Sequence, residues 1–265
     1  MTQTFADKIC IVTGGCSGIG LAVSEALLGR GAVVYLADLS PEHVETVRGR
    51  LKNQSNARFA VVDVTKQEEI STLIRRVAGE NGRLDYLFNN AGIGATLPFE
   101  QVTLDLWRKV IDVNLWGVIY GIDAAFPIME KQGFGHIVNT SSVAGVIPPP
   151  YQAVYCASKY AVTGLGESLR YELAHKGIAV TTICPGNVAT PIFGGAKPPE
   201  DAVLPEEAAR IILDGVEQKM GVVIFPEEME RIARQSLSHP EKLDEIEFRE
   251  AEVRRKAYAD HGRYY

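Results

Sequence analysis

Residues 11–20, "IVTGGCSGIG", join an apolar, β-branched run to a cluster of four glycines. A pattern typical of a helix, "GLAVSEALLGRGA", follows at 20–32. A glycine-rich turn between a strand and a helix suits a dinucleotide, because the helix N-terminus offers free N–H groups and a positive dipole end to phosphates. The glycines at 14, 15, 18 and 20 do not match G-x-G-x-x-G, so the loop alone also fits an ordinary strand–helix turn.

The same alternation of strand and helix continues along the chain. Apolar runs typical of strands stand at 8–13, 32–38, 57–64, 84–92, 135–142, 178–186 and 221–225, and helical patterns separate most of them. One long helix is predicted over 105–133. Strands that are apolar on both faces are typical of a parallel sheet covered by helices on both sides. We therefore predict a single-domain α/β fold over residues 1–225, a Rossmann-type doubly wound parallel sheet, with a glycine- and proline-rich substrate loop at 186–205.

Residues 226–265 form a charged C-terminal extension that Pro240 divides into two predicted helices. Its polarity predicts a position peripheral to the core. One interpretation is an amphipathic arm that crosses a partner subunit through a narrow apolar stripe, and the other is a solvated helix. The stripe would consist of Leu243, Ile246, Val253 and Ala257.

Composition excludes several classes of protein. The 265 residues carry a net charge of −6 without a basic stripe, which argues against a nucleic-acid partner. No apolar run is long enough to span a bilayer, and the N-terminus lacks the apolar segment of a signal peptide. The four cysteines are scattered, which predicts free thiols, no metal site and a cytoplasmic location.

An acidic residue at the end of the second predicted strand, Asp38, bears on the choice of nucleotide. An acid about 20 residues after the glycine loop is typical of a group that binds the adenosine ribose hydroxyls. A 2′-phosphate about 4 Å from this carboxylate would be disfavoured by about 4 kcal/mol per unit charge at an effective dielectric near 20. The neighbouring Ser17 and Leu39 supply no compensating cation. The pattern predicts NAD(H) rather than NADP(H).

Tyr155 and Lys159 lie four residues apart within a predicted helix and would share one of its faces. Forming a phenolate at neutral pH costs roughly 4 kcal/mol for a tyrosine with a pKa near 10. A neighbouring ammonium lowers that cost, so the tyrosine could exchange a proton with an alcohol or ketone. The pair could also be a chance spacing on a helix.

Further motifs follow in order: "NNAG" at 89–92, Asn114 in "VNLWG", "GHIVNTSS" at 135–142, "YCASK" at 155–159 and "PGNVAT" at 185–190. Together with "TGGCSGIG" at 13–20, which resembles T-G-x-x-x-G-x-G, these motifs are similar to those of the short-chain dehydrogenase/reductase family. The resemblance extends to about Phe225 and accounts for the unusual glycine spacing.

The resemblance implies a catalytic set of Asn114, Ser142, Tyr155 and Lys159. Ser142 would hydrogen-bond the substrate oxygen, and its neighbour Ser141 would be structural. Lys159 would also hold the nicotinamide ribose. Asn114 would anchor a water that links Lys159 to solvent, although a buried asparagine could equally serve helix packing.

The motifs and the resemblance also indicate the cofactor-binding residues. Asp63 would touch the adenine, or it could cap the following helix. The predicted set is Gly14, Ser17, Gly18, Ile19, Gly20, Asp38, Leu39, Asp63, Val64, Asn90, Ala91, Gly92, Tyr155, Lys159, Pro185, Gly186, Val188 and Thr190.

The segments expected around the substrate, 92–99, 143–152 and 191–204, are largely apolar, and Lys197 is their only cation. They favour a hydrophobic secondary alcohol or ketone, such as an alicyclic, aryl or steroid-like compound. The alternatives are an NADPH-dependent ketoreductase such as a 3-oxoacyl reductase, a non-catalytic nucleotide-binding regulator, and a methyltransferase. A methyltransferase would not need the Ser142, Tyr155 and Lys159 set. The resemblance also implies a homo-oligomer, a tetramer or a dimer.

Overall fold

The structure of the chain is a computed structural model that describes residues 4–193 and 197–262. In this part of the chain, seven parallel strands form one sheet in the order β3-β2-β1-β4-β5-β6-β7. The strands are β1 (Ile9–Thr13), β2 (Val33–Asp38), β3 (Ala57–Val61), β4 (Tyr86–Asn89), β5 (Gly135–Thr140), β6 (Ile178–Pro185) and β7 (Val222–Phe225). The topology confirms the predicted doubly wound α/β fold.

Alternate side chains of β1 enter two separate hydrophobic cores. Cys10 and Val12 pack into the core on one face of the sheet, whereas Ile9 and Ile11 pack into the core on the other. Because successive strand residues point to opposite faces, a strand between two cores is apolar along most of its length, and in β1 only the last residue, Thr13, is polar. All five residues of β1 are buried.

The helices cover both faces of this sheet. Those described are α1 (Gly18–Gly29), α2 (Pro41–Arg50), α3 (Gln67–Asn81), α4 (Leu104–Ile111), α5 (Gly117–Gln132), α6 (Ala153–Leu173), α7 (Pro205–Glu217), α8 (Glu227–Ser238) and α9 (Pro240–His261). Apolar side chains of α1, α2 and α7 complete one core, and those of α3, α5 and α6 complete the other. In the part of the chain that is described, no helix has both the length and the apolar character needed to cross a membrane.

Several strands are shorter than predicted, and β4 (Tyr86–Asn89) occupies less than half of the predicted span 84–92. Two further differences have a local cause. Strand β3 ends at Val61 rather than Val64, because the Asp63 carboxylate accepts hydrogen bonds from the backbone N–H and hydroxyl of Thr65 and closes a turn. The helix predicted over 105–133 is α4 followed by α5, joined by a π-helical turn at Asp112–Trp116. Such turns often occur at functional sites.

The site lies where the strand order reverses. Strand β1 pairs with β2 on one side and with β4 on the other, so the loops after β1 and β4 diverge at the carboxyl edge of the sheet. Ligands of open α/β sheets bind in the crevice that this reversal creates. The C-terminal helices α8 and α9 pack on each other, and α8 also contacts β7.

Candidate active site

The glycine loop adopts a backbone that side chains would obstruct. Gly14 and Gly18 have positive φ angles of 61° and 49°. A Cβ atom at Gly20 would lie 2.1 Å from the carbonyl oxygen of Gly14. The loop therefore needs glycine at positions 14 and 18 for their backbone conformation and at position 20 for close packing.

The N-terminus of α1 is open to an anion. Ser17 precedes the helix without a capping hydrogen bond from its side chain, and the first turn contains no acidic residue. Free N–H groups and an uncompensated positive dipole end suit a pyrophosphate. The loop and the helix together fit the phosphates of a dinucleotide.

Asp38 is fixed at the end of β2 next to this loop. Its carboxylate accepts a hydrogen bond from the backbone N–H of Cys16 (3.1 Å) and another from that of Ser40 (3.2 Å). Asp38 is 8% exposed, whereas the following Leu39 is 64% exposed. A negative charge thus lies at a fixed position beside the loop, as a group that binds ribose hydroxyls requires.

The turn after β3 holds Asp63 and Val64. Asp63 does not cap α3, because the residue before that helix is Lys66. Val64 packs against Gly117 at the start of α5, where an added Cβ would lie 3.0 Å from its Cγ2.

Hydrogen bonds to Thr13 connect the segment after β4 to the glycine loop. The Thr13 hydroxyl accepts from the backbone N–H groups of Asn90 and Ala91. The Asn90 amide donates to the carbonyl of Thr13 and accepts from the hydroxyl of Thr140. These contacts place residues 90–92 along one side of the cavity.

Most of the predicted residues line one cavity of about 900 Å³ at the carboxyl edge of the sheet. Those that line it are Gly14, Ser17, Gly18, Ile19, Asn90, Ala91, Gly92, Ser142, Tyr155, Lys159, Pro185, Gly186, Val188 and Thr190. The predicted residues outside its wall are Gly20, Asp38, Leu39, Asp63, Val64 and Asn114.

Lys159 and Tyr155 both line this cavity, with the Lys159 amino group facing the Tyr155 ring. Its amino group donates to the carbonyl oxygen of Thr140 at 2.9 Å and lies 5.6 Å from the centroid of the Tyr155 ring. Burial lowers the pKa of Lys159 to about 8. This value still lies above 7, so the protonated amine beside the phenol is the main form at neutral pH.

The two serines after β5 have different surroundings. The Ser141 hydroxyl donates to the carbonyl of Lys159 and shares a hydrogen bond with Thr163, so it fixes α6 to the sheet. The Ser142 hydroxyl accepts from the N–H of Ala144 and has only a long contact, 3.4 Å, with the carbonyl of Pro185. Ser142 therefore has the hydroxyl that is more available to a substrate oxygen.

Asn114 lies in the π-helical turn and is fully buried. Its amide group donates to the carbonyl of Ile93 and the hydroxyl of Ser158, and its oxygen accepts from the N–H of Ile93. An added Cβ on Gly92 would lie 3.4 Å from both the Asn114 oxygen and the Lys159 amine. The side chain thus links three elements next to Lys159, which fits the packing role as well as the relay.

The substrate end of the cavity has apolar walls. Ile93 and Ala95, Ile147 and Pro149, and Ile192 and Phe193 come from the three predicted segments. Residues 194–196 of the predicted substrate loop lie outside the described residues. Lys197, predicted to be the cation near the substrate, does not line the cavity; its side chain is 83% exposed and pairs with Glu200.

A sequence profile of the family described as short chain dehydrogenase matches residues 8–201, a span that holds the glycine loop, Ser142, Tyr155 and Lys159. The chain belongs to the short-chain dehydrogenase/reductase family. It is an oxidoreductase of that family, and its relatives carry corresponding names. No group of three or more histidine, cysteine, aspartate or glutamate side chains that could hold a metal is found among residues 4–193 and 197–262.

Three similar proteins illustrate the relationship. An uncharacterized oxidoreductase of Staphylococcus aureus is 36% identical over 213 residues, which cover 80% of this chain and 92% of the relative. The D-beta-hydroxybutyrate dehydrogenase of Rhizobium meliloti is 35% identical over 188 residues, which cover 70% of this chain and 73% of the relative. A short-chain dehydrogenase/reductase of Burkholderia phymatum, solved in complex with NAD, has a TM-score of 0.83 at 25% identity, with 91% of this chain and 96% of that chain covered.

The C-terminal extension of this short-chain dehydrogenase/reductase also lines the cavity, a position that its sequence does not indicate. None of the described residues after Phe225 belongs to the hydrophobic cores. The extension nevertheless contributes cavity-lining side chains, and they are Pro226, Met229, Ile232, Ile246, Glu247, Glu250 and Arg254. Of the proposed apolar stripe only Ile246 lines the cavity, and Val253 is 54% exposed. The helical spacing of residues 246, 247, 250 and 254 could have indicated a common face, but its charged members are typical of solvated helices.

Proposed function

We propose that this protein transfers a hydride between NAD(H) and a hydrophobic secondary alcohol or ketone. The observation that carries the proposal is the convergence of Ser142, Tyr155 and Lys159 on the cavity that the glycine loop opens into. A regulator without catalysis would not need this set of side chains, nor would a methyltransferase.

The side chains of this set have complementary roles in the proposal. The bound nicotinamide would supply a hydride to the carbonyl carbon, or accept one from the carbinol carbon in the reverse direction. Tyr155 donates its phenolic proton to the carbonyl oxygen during reduction and removes the hydroxyl proton during oxidation. Ser142 donates a hydrogen bond to the same oxygen and holds it toward Tyr155.

Lys159 makes the proton transfer at Tyr155 accessible near neutral pH. Its ammonium group, 5.6 Å from the ring centroid, favours the phenolate that forms when Tyr155 gives up its proton. The carbonyl of Thr140 fixes the position of that ammonium group. Asn114, as proposed, links Lys159 to solvent through a bound water.

NAD is the proposed cofactor because of Asp38. The buried carboxylate would repel a 2′-phosphate, and the exposed Leu39 beside it offers no positive charge to offset that repulsion. The NAD complex of the Burkholderia phymatum protein supports the same choice.

We propose further that the protein works in the cytoplasm as a homo-oligomer, with residues 1–225 as the dehydrogenase domain and 226–265 as a helical extension. The exposed apolar side chains of Leu104 (70%) and Trp116 (43%), near the predicted long helix, support a contact between copies. Light scattering of the full chain would test this, and a monomeric mass would refute it.

The proposed reaction is tested by incubating the purified protein with NAD and a panel of alicyclic, aryl and steroid-like secondary alcohols, while NADH absorbance is followed. We expect turnover of at least one of them, and ketone reduction with NADH in the reverse direction. The proposal is wrong if no alcohol or ketone in the panel reacts while NADH binds normally.

A further inference from the structure

Helices α8 and α9 of the extension line one side of the cavity that contains Tyr155, and we call their cavity-lining residues between Pro226 and Arg254 the roof. Gly186, in the segment predicted to lie near the nicotinamide, approaches the start of this roof: an added Cβ there would lie 3.0 Å from Pro226 and 3.5 Å from Met229. Met229 and Ile232 of α8 then line the cavity. The roof therefore begins at the segment predicted to lie near the nicotinamide.

Helix α9 connects the roof to the cavity wall formed by the loop that contains Pro150. The Arg254 guanidinium donates to the carbonyl of Pro150 at 3.0 Å and pairs with Glu250 at 2.7 Å. Only 12% of the Arg254 side chain is exposed. These contacts hold one face of α9, which carries Ile246, Glu247, Glu250 and Arg254, against the cavity.

Glu247 has a carboxyl oxygen that the roof leaves unpaired. Its Oε2 is buried, yet it accepts no hydrogen bond from any described residue. Burial raises the pKa of Glu247 to about 7, an effect that Arg254 opposes and Glu250 reinforces. Burial, and to a smaller extent the charge of Glu247, raises the pKa values of the Cys156 thiol and the Tyr160 phenol in α6. The carboxyl group is therefore close to the helix that carries Tyr155.

A buried oxygen without a partner destabilises the protein unless something donates a hydrogen bond to it. Met229, Ile232 and Ile246 supply the apolar part of this lining, and Glu250 is already paired with Arg254, so the surroundings of Glu247 disfavour a fully charged ammonium group. A carboxylate would be repelled, because Glu247 and Glu250 outnumber Arg254. A neutral hydroxyl satisfies the oxygen without either penalty.

We propose that Glu247 is a specificity-determining residue that accepts a hydrogen bond from a second hydroxyl group, at the end of the substrate remote from the reacting carbon. This inference rests on the proposed function, since it places the reacting carbon at Tyr155. The substrate is then a hydroxylated hydrophobic secondary alcohol or the corresponding ketone.

The test uses pairs of alcohols that differ by one remote hydroxyl: cyclohexanol with cyclohexane-1,4-diol, and 4-phenylcyclohexanol with 4-(4-hydroxyphenyl)cyclohexanol. For each, kcat/KM is measured with NAD, and binding to the NADH-loaded enzyme is measured by calorimetry. A hydrogen bond to a charged or partly charged acceptor corresponds to a preference of about 10- to 100-fold for the hydroxylated member of at least one pair.

Three variants assign that preference to Glu247. Glu247→Leu removes the acceptor at similar size and should abolish the preference for the hydroxylated member. Glu247→Gln keeps an amide acceptor and should restore part of the preference. Glu245→Leu, at an exposed position of the same helix, should leave the preference unchanged.

The outcomes separate the two proposals. If wild type does not distinguish the members of either pair in turnover or binding, or if Glu247→Leu keeps the preference, the role of Glu247 is refuted while the reaction stands wherever turnover is seen. If no alcohol turns over but calorimetry shows a preference that Glu247→Leu abolishes, the reaction is refuted and the binding role of Glu247 stands.

Discussion

Replacing Asp38 with asparagine removes the negative charge at the end of β2 and keeps the size of the side chain. In the wild type, the carboxylate accepts hydrogen bonds from the N–H groups of Cys16 and Ser40, so its position beside the glycine loop is fixed. Asparagine can still accept one of these bonds. The variant therefore tests charge with limited disturbance of the loop.

The size of the effect follows from Coulomb's law. Two unit charges about 4 Å apart interact by about 4 kcal/mol at an effective dielectric near 20, and a phosphate carries about −1.5 to −2 charges. Salt screening at the edge of the cleft reduces this value. We expect wild type to prefer NAD over NADP by about 10²- to 10³-fold in kcat/KM, and Asp38→Asn to reduce that ratio by about 10- to 100-fold.

The assay compares kcat/KM for NAD and NADP with one alcohol in wild type and in the variant. Asp63→Asn is the matched control: its carboxylate closes the turn to Thr65, so the ratio should not change. Loss of one amide hydrogen bond should also lower the stability of Asp38→Asn by about 1–3 kcal/mol, which thermal melting measures. A wild-type preference for NADP, or an unchanged ratio in Asp38→Asn, would refute the reasoning.

Three more predictions concern stability and reactivity. Gly20→Ala places a Cβ 2.1 Å from the carbonyl oxygen of Gly14, so it should lower the free energy of unfolding by about 1–3 kcal/mol and weaken NADH binding. In the control Gly79→Ala the added Cβ meets nothing within 4 Å, so this variant should stabilise α3 by about 0.5–1 kcal/mol. Equal effects of the two substitutions in denaturant unfolding would contradict the packing argument. Burial lowers the pKa of His136 to about 3, below the value of about 6.5 in the unfolded chain, so the unfolded state binds more protons between these values and stability falls as pH drops through that window. His136→Asn should flatten this acid limb in melting curves from pH 3 to 7, and an unchanged slope would contradict the assignment. Burial raises the pKa values of four cysteine thiols, those of Cys10, Cys16, Cys156 and Cys184. A disulfide reagent at pH 8 should therefore modify them only as the protein unfolds, and rapid reaction of the native protein would contradict this prediction.

The fold and much of the cavity could be predicted because their determinants are local. The β1 run, the glycines at 14, 18 and 20 and the Tyr155–Lys159 spacing each encode a backbone or a face within a few residues. Asp38 is separated from the loop in sequence, yet the parallel pairing of β1 with β2 brings it there in any fold of this type.

The role of the extension could not be predicted for the opposite reason. Glu247 and Arg254 lie on a helix whose composition is typical of a solvated surface, and their burial depends on long-range contacts such as that of Arg254 with Pro150. The π-helical turn that buries Asn114 likewise could not be predicted, because its five residues, Asp112–Trp116, are too few to show a periodic pattern of their own.

The most direct test of the central claim is Tyr155→Phe, which removes the proton-transferring hydroxyl and keeps the ring above Lys159. We predict that kcat for the best secondary alcohol falls by about 10²- to 10⁴-fold while the Kd for NADH stays within about twofold of wild type. The control Tyr171→Phe, on the same helix with a side chain 70% exposed, should keep wild-type kcat. A Tyr155→Phe enzyme whose kcat remains within a few-fold of wild type would contradict the account.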